Sequence, residues 1–206
     1  MFDIAAHLKQ KLREPLPGMD AQYEMAPVTR ERYPIDSLKP DTYRKSAVMI
    51  LIYNLNNNYY IPLTKRHTYD GKHSGQISLP GGKLDERDEN LKHTALRELD
   101  EEIGISEHVE VIGNLTPIYI PVSNFYVEPY IGIYSHSVIS FSTNEREVNE
   151  LIHLDLEVLK NDKIIQTEGI VHGDGYKLKT PYFEVEGNII WGATAMILNE
   201  FKKLII

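Results

Sequence analysis

Residues 82–104 read Gly82-Lys-Leu-Asp-Glu-Arg-Asp-Glu-Asn-Leu-Lys-His-Thr-Ala-Leu-Arg-Glu-Leu-Asp-Glu-Glu-Ile-Gly104, a glycine-opened loop running into an acid-rich segment. Leu91, Ala95, Leu99 and Ile103 form an i, i+4 apolar series joined by Leu96, which covers one side of a helix at roughly 100° per residue. Asp88 and Asn90 are start signals, and Gly104 stands where a C′ glycine ends a helix. From Asp85 to Glu102 the segment holds eight acids (85, 86, 88, 89, 98, 100, 101, 102) and three bases (87, 92, 97), a net charge of −5 on one short element.

On this helix Glu98, Glu101 and Glu102 fall within an arc of about 100°, because residues three and four apart are surface neighbours. Like charges at that spacing cost an isolated helix roughly 0.2–0.5 kcal/mol per pair, so the face calls for a compensating cation. A hard divalent ion such as Mg²⁺ or Mn²⁺ answers to that description, since it takes oxygen ligands and is commonly shared between a few carboxylates and substrate phosphates. Arg97, four residues before Glu101, can hold a carboxylate in place. Asp100 points away from the arc. Three glutamates alone describe a solvated helix face better than a metal site; their neighbours in the chain reverse that.

With 206 residues and 42% hydrophobic content the chain can fill one core, which predicts a single domain over 1–206: a helix and surface wrap over 1–42, and a core over 43–206. The formal charge of −8 argues against nonspecific nucleic-acid binding, and no basic run offsets it. There is no cysteine, so disulfides and thiolate zinc sites are excluded. The eight histidines are scattered without metal-ligand spacing. No apolar stretch approaches the ~18 residues of a membrane span, and the amino terminus lacks a cleavage pattern. A soluble cytoplasmic protein is expected, with no membrane partner; the sequence leaves homodimer formation open.

Along the chain, Phe2, Ile4, Ala5, Leu8 and Leu12 predict an amphipathic helix over 2–14 that Pro15 and Pro17 stop. Residues 15–42 show no sustained period and are expected to wrap the surface. Ser46–Tyr53 and Tyr59–Leu63, separated by the turn formers Asn54–Asn58, read as a hairpin. Val109–Ile112 reads as a strand, and Ile118–Tyr134 as a loop and a strand with breaks at Pro121 and Pro129. Ser123, Asn124, Phe125 and Tyr126 offer a patch able to stack on an adenine, although packing accounts equally well for the two rings. Glu145, Glu147 and Glu150 precede an apolar helical turn around Leu154–Leu159. Lys163–Gln166 and Tyr182–Val185 read as strands, Glu186–Asn188 as a turn, and Ile189–Leu204 as a helix in which Trp191 serves as a core anchor.

Between the hairpin and the acid helix, residues 62–82 bring Lys65, Arg66 and Lys72, with His67 and His73, to a place where they can meet phosphates. Gly75, Gly81 and Gly82 permit close backbone approach. Taken alone, this reads better as a loop kept soluble by its charges.

Arg97-Glu-Leu-Asp-Glu-Glu-Ile-Gly-Ile105 resembles, position for position, the second half of the Nudix box, Arg-Glu-apolar-x-Glu-Glu-x-Gly-apolar. The loop after Gly82 is one residue longer than the common spacing, so either Asp88 or Glu89 takes the early acidic position. Residues 62–82 resemble the motif that precedes the box in the coenzyme A pyrophosphatase branch, with Leu63, Thr64, Arg66, Gly75, Pro80, Gly81 and Gly82 matching. Gly71 replaces an arginine and Leu79 a phenylalanine. The resemblance covers about residues 45–200. It implies an α/β fold, the Nudix α/β/α sandwich with a mixed β-sheet between helices, and metal-dependent hydrolysis of the pyrophosphate of a nucleotide diphosphate substrate. Its leading form is coenzyme A or acyl-CoA, giving adenosine 3′,5′-bisphosphate and phosphopantetheine. ADP-ribose, dinucleoside polyphosphates or nucleoside triphosphates are the alternatives, and a silent nucleotide sensor, which typically loses box glutamates, is disfavoured. The implied metal ligands for Mg²⁺ or Mn²⁺ are Glu98, Glu101 and Glu102, and the implied catalytic set is Arg97, Glu98, Glu101 and Glu147. Arg66, Lys72, His73, Gly75, Gly81 and Gly82 are the expected substrate contacts.

Overall fold

The computed structural model describes residues 3–39, 42–67, 75–171 and 177–206. Its central strand β1, Arg44–Leu55, carries the longest apolar run. Ala47, Met49 and Leu51 pack with Ala95, Leu99 and Ile103 of helix α3, Leu91–Ile103. Ile50 and Ile52, on the opposite face, join a cluster with Leu198, Phe201 and Leu204 of helix α5, Gly192–Ile205. A strand covered on both faces needs apolar side chains at successive positions, which is why this run is unbroken rather than alternating.

Strand β2, Asn58–Arg66, returns through Asn56 and Asn57 at φ of 52° and 66°, the left-handed turn expected of an Asn pair in a two-residue hairpin. The remaining strands of this sheet are β3 Ile77–Ser78, β4 Gly81–Lys83, β5 Val109–Asn114, β6 Ile118–Ile120, β7 Phe125–Tyr134 and β8 Val148–Asp155. The order is β3-β2-β1-β7-β5, with β4 on β1, β6 on β7 and β8 on β2. Strands β1 and β7 run parallel and the other pairs antiparallel, so the sheet is mixed and lies between helices, as expected. Helix α4, Leu156–Lys160, leads to an antiparallel sheet of β9 Ile165–Val171, β10 Lys177–Val185 and β11 Asn188–Trp191.

One edge of β1 carries β7 from Arg44 to Ile52, so β4 and β2 share the other edge. Strand β4 pairs at 46–48 and β2 at 53–55, and β2 then leaves β1 to pair with β3 and β8. The edge is therefore split beneath α3, with Gly82 on one bank and Thr64 on the other.

Several elements differ from the sequence reading. Pro129 lies inside β7 instead of ending it: on the β5/β6 side it falls between the residues paired with β6 (125–127) and those paired with β5 (130–134), where its carbonyl accepts from Leu115 N at 2.8 Å and a missing N–H costs no ladder bond. The expected turn of helix at Leu154 is the end of β8, and α4 starts at Leu156, capped by Asp155, which accepts from Glu157 N. Strand β11, which starts at Asn188, takes up residues 189–191 of the expected carboxy-terminal helix, and Trp191 is half-buried at its end rather than in the core.

Residues 15–42 contain helix α2, Gly18–Tyr23, which periodicity did not predict. Like helix α1, Ile4–Lys11, it packs on α5, here through a fully buried carboxylate. Glu200 Oε1 accepts from Gly18 N and Thr116 N at 3.2 Å each, and Oε2 accepts from Gln22 Nε2 at 2.7 Å. Six residues cannot sustain a helix by propensity, so the anchor is tertiary. Among the described residues no helix is long and apolar enough to cross a membrane. Glu200→Leu keeps much of the volume but leaves the Gly18 and Thr116 N–H groups unpaired; it is expected to cost on the order of 3 kcal/mol, lowering Tm by roughly 6–12 °C in a thermal melt.

Candidate active site

Helix α3 begins at Asn90, whose side chain accepts from His93 N, and ends at Gly104, left-handed at φ 71°. These marks set the phase of the acid face. Asp100 is exposed, as its place on the wheel requires, and the three glutamates sit in three different environments.

Arg97 is their organiser. Its Nε and Nη2 donate to Asp88 Oδ1 and Oδ2 at 3.0 Å each, its Nη1 to Glu98 Oε1 and Glu101 Oε2 at 2.9 Å each, and its Nη2 to the Lys83 carbonyl at 3.1 Å. Asp88 also accepts from Thr94 Oγ1 and Asp85 N. The early acidic position therefore belongs to Asp88, whose side chain is 4% exposed, and not to Glu89, which is 79% exposed and lies 3.6 Å from His93 on the surface. The Arg97 guanidinium holds the Asp88 carboxyl down at about 2, so this pair stays ionised across the physiological range.

Glu98 is packed against Gly82. A β-carbon at position 82 would overlap its carboxylate, and one at Gly81 would overlap the carbonyl of Ala47. Both glycines, expected to face a substrate, are thus spent on close approach within the protein. Burial raises the Glu98 pKa, Arg97 draws it back, and Glu101 and Glu147 add to the rise. Glu101 is half-exposed. Glu102 is 4% exposed and its Oε2 accepts from Thr64 Oγ1 at 3.2 Å. Burial pushes its carboxyl from the ordinary 4.5 up to about 7, with Glu98 and Glu147 pushing the same way and Arg66 and Thr64 pulling back.

Glu147 reaches this neighbourhood through a clasp at the helix end. Ser142 N donates to the Ile103 carbonyl and Asn144 N to the Glu102 carbonyl, both at 3.0 Å. Gly104 permits it, since a β-carbon there would stand 2.8 Å from Ser142 Cβ. His67 Nε2 lies 2.8 Å from the Glu145 carbonyl and ties the end of β2 to the same loop.

Of the expected substrate contacts, Arg66 is exposed at the end of β2 and acts electrostatically on Glu102, and Gly75, at φ 65°, donates its N–H to the His67 carbonyl. Lys72 and His73 lie outside the described residues. The aromatic patch at 125–126 has partners within the fold: Tyr126 stacks on Tyr43 with centroids 5.1 Å apart, and Phe125 lies 4.1 Å beneath the Arg44 guanidinium. A hollow of about 420 Å³ opens beside Tyr43, Tyr126 and Glu128 at the start of α3.

The donor set suits a hard cation: Glu98, Glu101, Glu102 and Glu147 offer carboxylate oxygens, and Arg97, already shared with Asp88, cannot balance them all. Among the described residues no three such groups converge as a ready-made cage. The fit is therefore to an ion of the Mg²⁺ type, which completes its shell with water and substrate phosphates.

Residues 43–166 match the NUDIX domain family. A Nudix hydrolase of Yersinia enterocolitica designated NudL is 36% identical over 143 residues, 68% of this chain and 71% of its own. Its counterpart in Yersinia pestis is 34% identical over 164 residues, 79% and 80% of the two chains. Among solved structures, the Nudix hydrolase RenU from M. smegmatis aligns with a TM-score of 0.54 at 15% identity, covering 79% of this chain and 85% of its own, and shares the fold. A MutT/nudix family protein from Enterococcus faecalis aligns at 0.50 and 13% identity, over 100% and 75% of the two chains. The chain belongs to the Nudix family of hydrolases.

Because the Glu102 pKa is higher in the folded chain than in the unfolded one, folding takes up a proton between about pH 4.5 and 7, and the metal-free protein loses stability as pH rises through that window. Glu102→Gln is therefore expected to raise the metal-free stability at pH 8 by on the order of 2 kcal/mol, a Tm gain of roughly 4–8 °C that vanishes near pH 4.5. Melts of both proteins in chelator across that range check it.

Proposed function

We propose that this Nudix hydrolase is a Mg²⁺- or Mn²⁺-dependent pyrophosphatase of coenzyme A or acyl-CoA, releasing adenosine 3′,5′-bisphosphate and (acyl-)phosphopantetheine. The chemistry rests on one observation: the Arg97 guanidinium holds Glu98 and Glu101 side by side on α3, and Glu102 and Glu147 act electrostatically on Glu98 from the same neighbourhood. The substrate rests on the match of Leu63, Thr64, Arg66, Gly75, Pro80, Gly81 and Gly82 to the motif of the coenzyme A branch. Gly71, standing in place of an arginine of that motif, keeps ADP-ribose and other nucleoside diphosphate derivatives as the second reading, because a planar two-pronged phosphate contact is lost there.

In this reading Glu98, Glu101 and Glu102 would hold the cation, which would supply charge neutralisation for the phosphates and Lewis-acid activation of water. Arg97 aims Glu98 and Glu101 by hydrogen bonds to both carboxylates, and Asp88 keeps Arg97 in place. Arg66, projecting beside Glu102, binds a phosphate oxygen. Glu147 is exposed, held by Asn144 Nδ2 at 3.4 Å and electrostatically coupled to Glu98 and Glu102; we assign it to accept the proton of the attacking water. Residues 1–206 act as one unit in this reading, since Ile4, Leu8 and Met25 share a core cluster with Phe183 and Phe201. A cytoplasmic location goes with it.

Incubation with Mg²⁺ and coenzyme A, dephospho-coenzyme A, ADP-ribose, a diadenosine polyphosphate and the nucleoside triphosphates, with products identified by mass spectrometry, tests the proposal. Coenzyme A is expected to yield the two halves named above. Good cleavage of ADP-ribose with coenzyme A spared overturns the substrate assignment. Glu101→Gln, which keeps shape and fold, is expected to lower kcat/KM about a hundredfold or more. Unchanged turnover in that variant would show that the acid face is solvated surface.

A further inference from the structure

Glu102 is the deepest of the three glutamates proposed as metal ligands, and one side chain from the sheet reaches its carboxylate. Thr64 is 2% exposed in the middle of β2, paired across the ladder with Ser78 of β3 and Leu151 of β8. Its Oγ1 lies 3.2 Å from Glu102 Oε2, 3.4 Å from the Ser78 carbonyl and 3.3 Å from Ser78 Oγ. A hydroxyl has one proton to give and can accept two. The carboxylate is the stronger acceptor, so the Thr64 proton goes to Glu102 and Ser78 Oγ–H donates to Thr64. The result is a directed chain from the half-buried Ser78 to Thr64 to Glu102, whose last link is buried where a lost donor is not replaced by water.

We propose that Thr64, backed by Ser78, is a positioning residue for the cation site: by binding Oε2 it fixes the rotation of the Glu102 carboxylate and so aims Oε1. The inference rests on the reading of the acid face as a metal site and adds to it a residue from the opposite bank of the split. The same strand explains why it must be β2. Thr64 and Arg66 are two residues apart and lie on one face, so the strand that orients Glu102 from beneath also delivers Arg66 to the site's rim. Valine at 64 would fill the same volume and leave the carboxylate without its donor, so Thr-to-Val here removes a function and not a shape. Groups that orient metal ligands are typically worth 10–100-fold in metal affinity or activity.

The test uses the full chain with Mg²⁺ as the probe. The Mg²⁺ concentration for half-maximal velocity is measured on the best substrate of the wild type, and the Mg²⁺-induced rise in Tm is measured without substrate. Thr64→Val is expected to raise the half-saturating Mg²⁺ about tenfold or more and shrink the Tm rise, while kcat at saturating Mg²⁺ falls by less. Thr64→Ser, which restores the hydroxyl, is expected to return within about threefold of wild type, and Ser78→Ala to shift half-saturation in the same direction as Thr64→Val by a smaller factor. A purely structural threonine would lower the metal-free Tm and leave half-saturation where it was. Folded Thr64→Val with wild-type half-saturation overturns the inference and leaves the metal site standing. If Thr64→Val does not fold, wild-type half-saturation in Ser78→Ala overturns it instead. A wild-type protein with no turnover and no Mg²⁺-dependent Tm rise would sink the metal-site reading itself, and this inference with it.

Discussion

The Arg97 guanidinium is the constraint on which the rest of the site hangs. It lies among Asp88, Glu98 and Glu101 and also binds the Lys83 carbonyl, so one planar cation joins the loop after β4 to the acid face of α3. Lysine could not reproduce this, because a point charge on a flexible stem cannot engage both oxygens of Asp88 while holding two more carboxylates. The nearly buried Asp88 confers the rigidity: with Arg97 committed to it, Glu98 and Glu101 are placed by a group that cannot swing away. Removing Asp88 would leave a largely enclosed guanidinium short of its partner, the costly kind of loss in a shielded ion pair.

Space matters as much as charge. Gly82 lets the Glu98 carboxylate lie against β4, and Gly104 lets the segment after β7 close on the helix end, where backbone bonds from Ser142 and Asn144 register Glu147 against Glu98 and Glu102. The split edge of β1 supplies the two banks over which these acids stand. A continuous ladder at that edge would bring β2 directly beside β1 and leave no room below the carboxylates. The acid face is thus tied to an interruption in the sheet, and the crowding and burial of its acids raise the Glu98 and Glu102 carboxyl pKa values, a cost that the proposed cation would relieve.

The acid helix was legible in the chain because every signal for it is local. A 3.6-residue apolar period, an Asn cap, a terminal glycine and acids three and four apart on one face all lie within 23 residues. The hairpin was legible for the same reason, as was the choice of Arg97 to hold Glu101. The family followed from the order of residues 97–105.

What the chain could not state is what its distant parts do to one another. The tie between Asp88 and Glu89 was broken by Arg97, which reaches one and leaves the other in solvent. Helix α2 exists because Glu200, far along the sequence, offers a buried carboxylate to its first turn and to Gln22. Pro129 is tolerated because the gap between β6 and β5 falls opposite it. Thr64 reads as a routine strand residue until β2 diverges from β1 and lays its hydroxyl against Glu102. In each case the deciding contact joins residues separated in sequence, and periodicity, being a local property, carries no information about which of them the packed core will bring together.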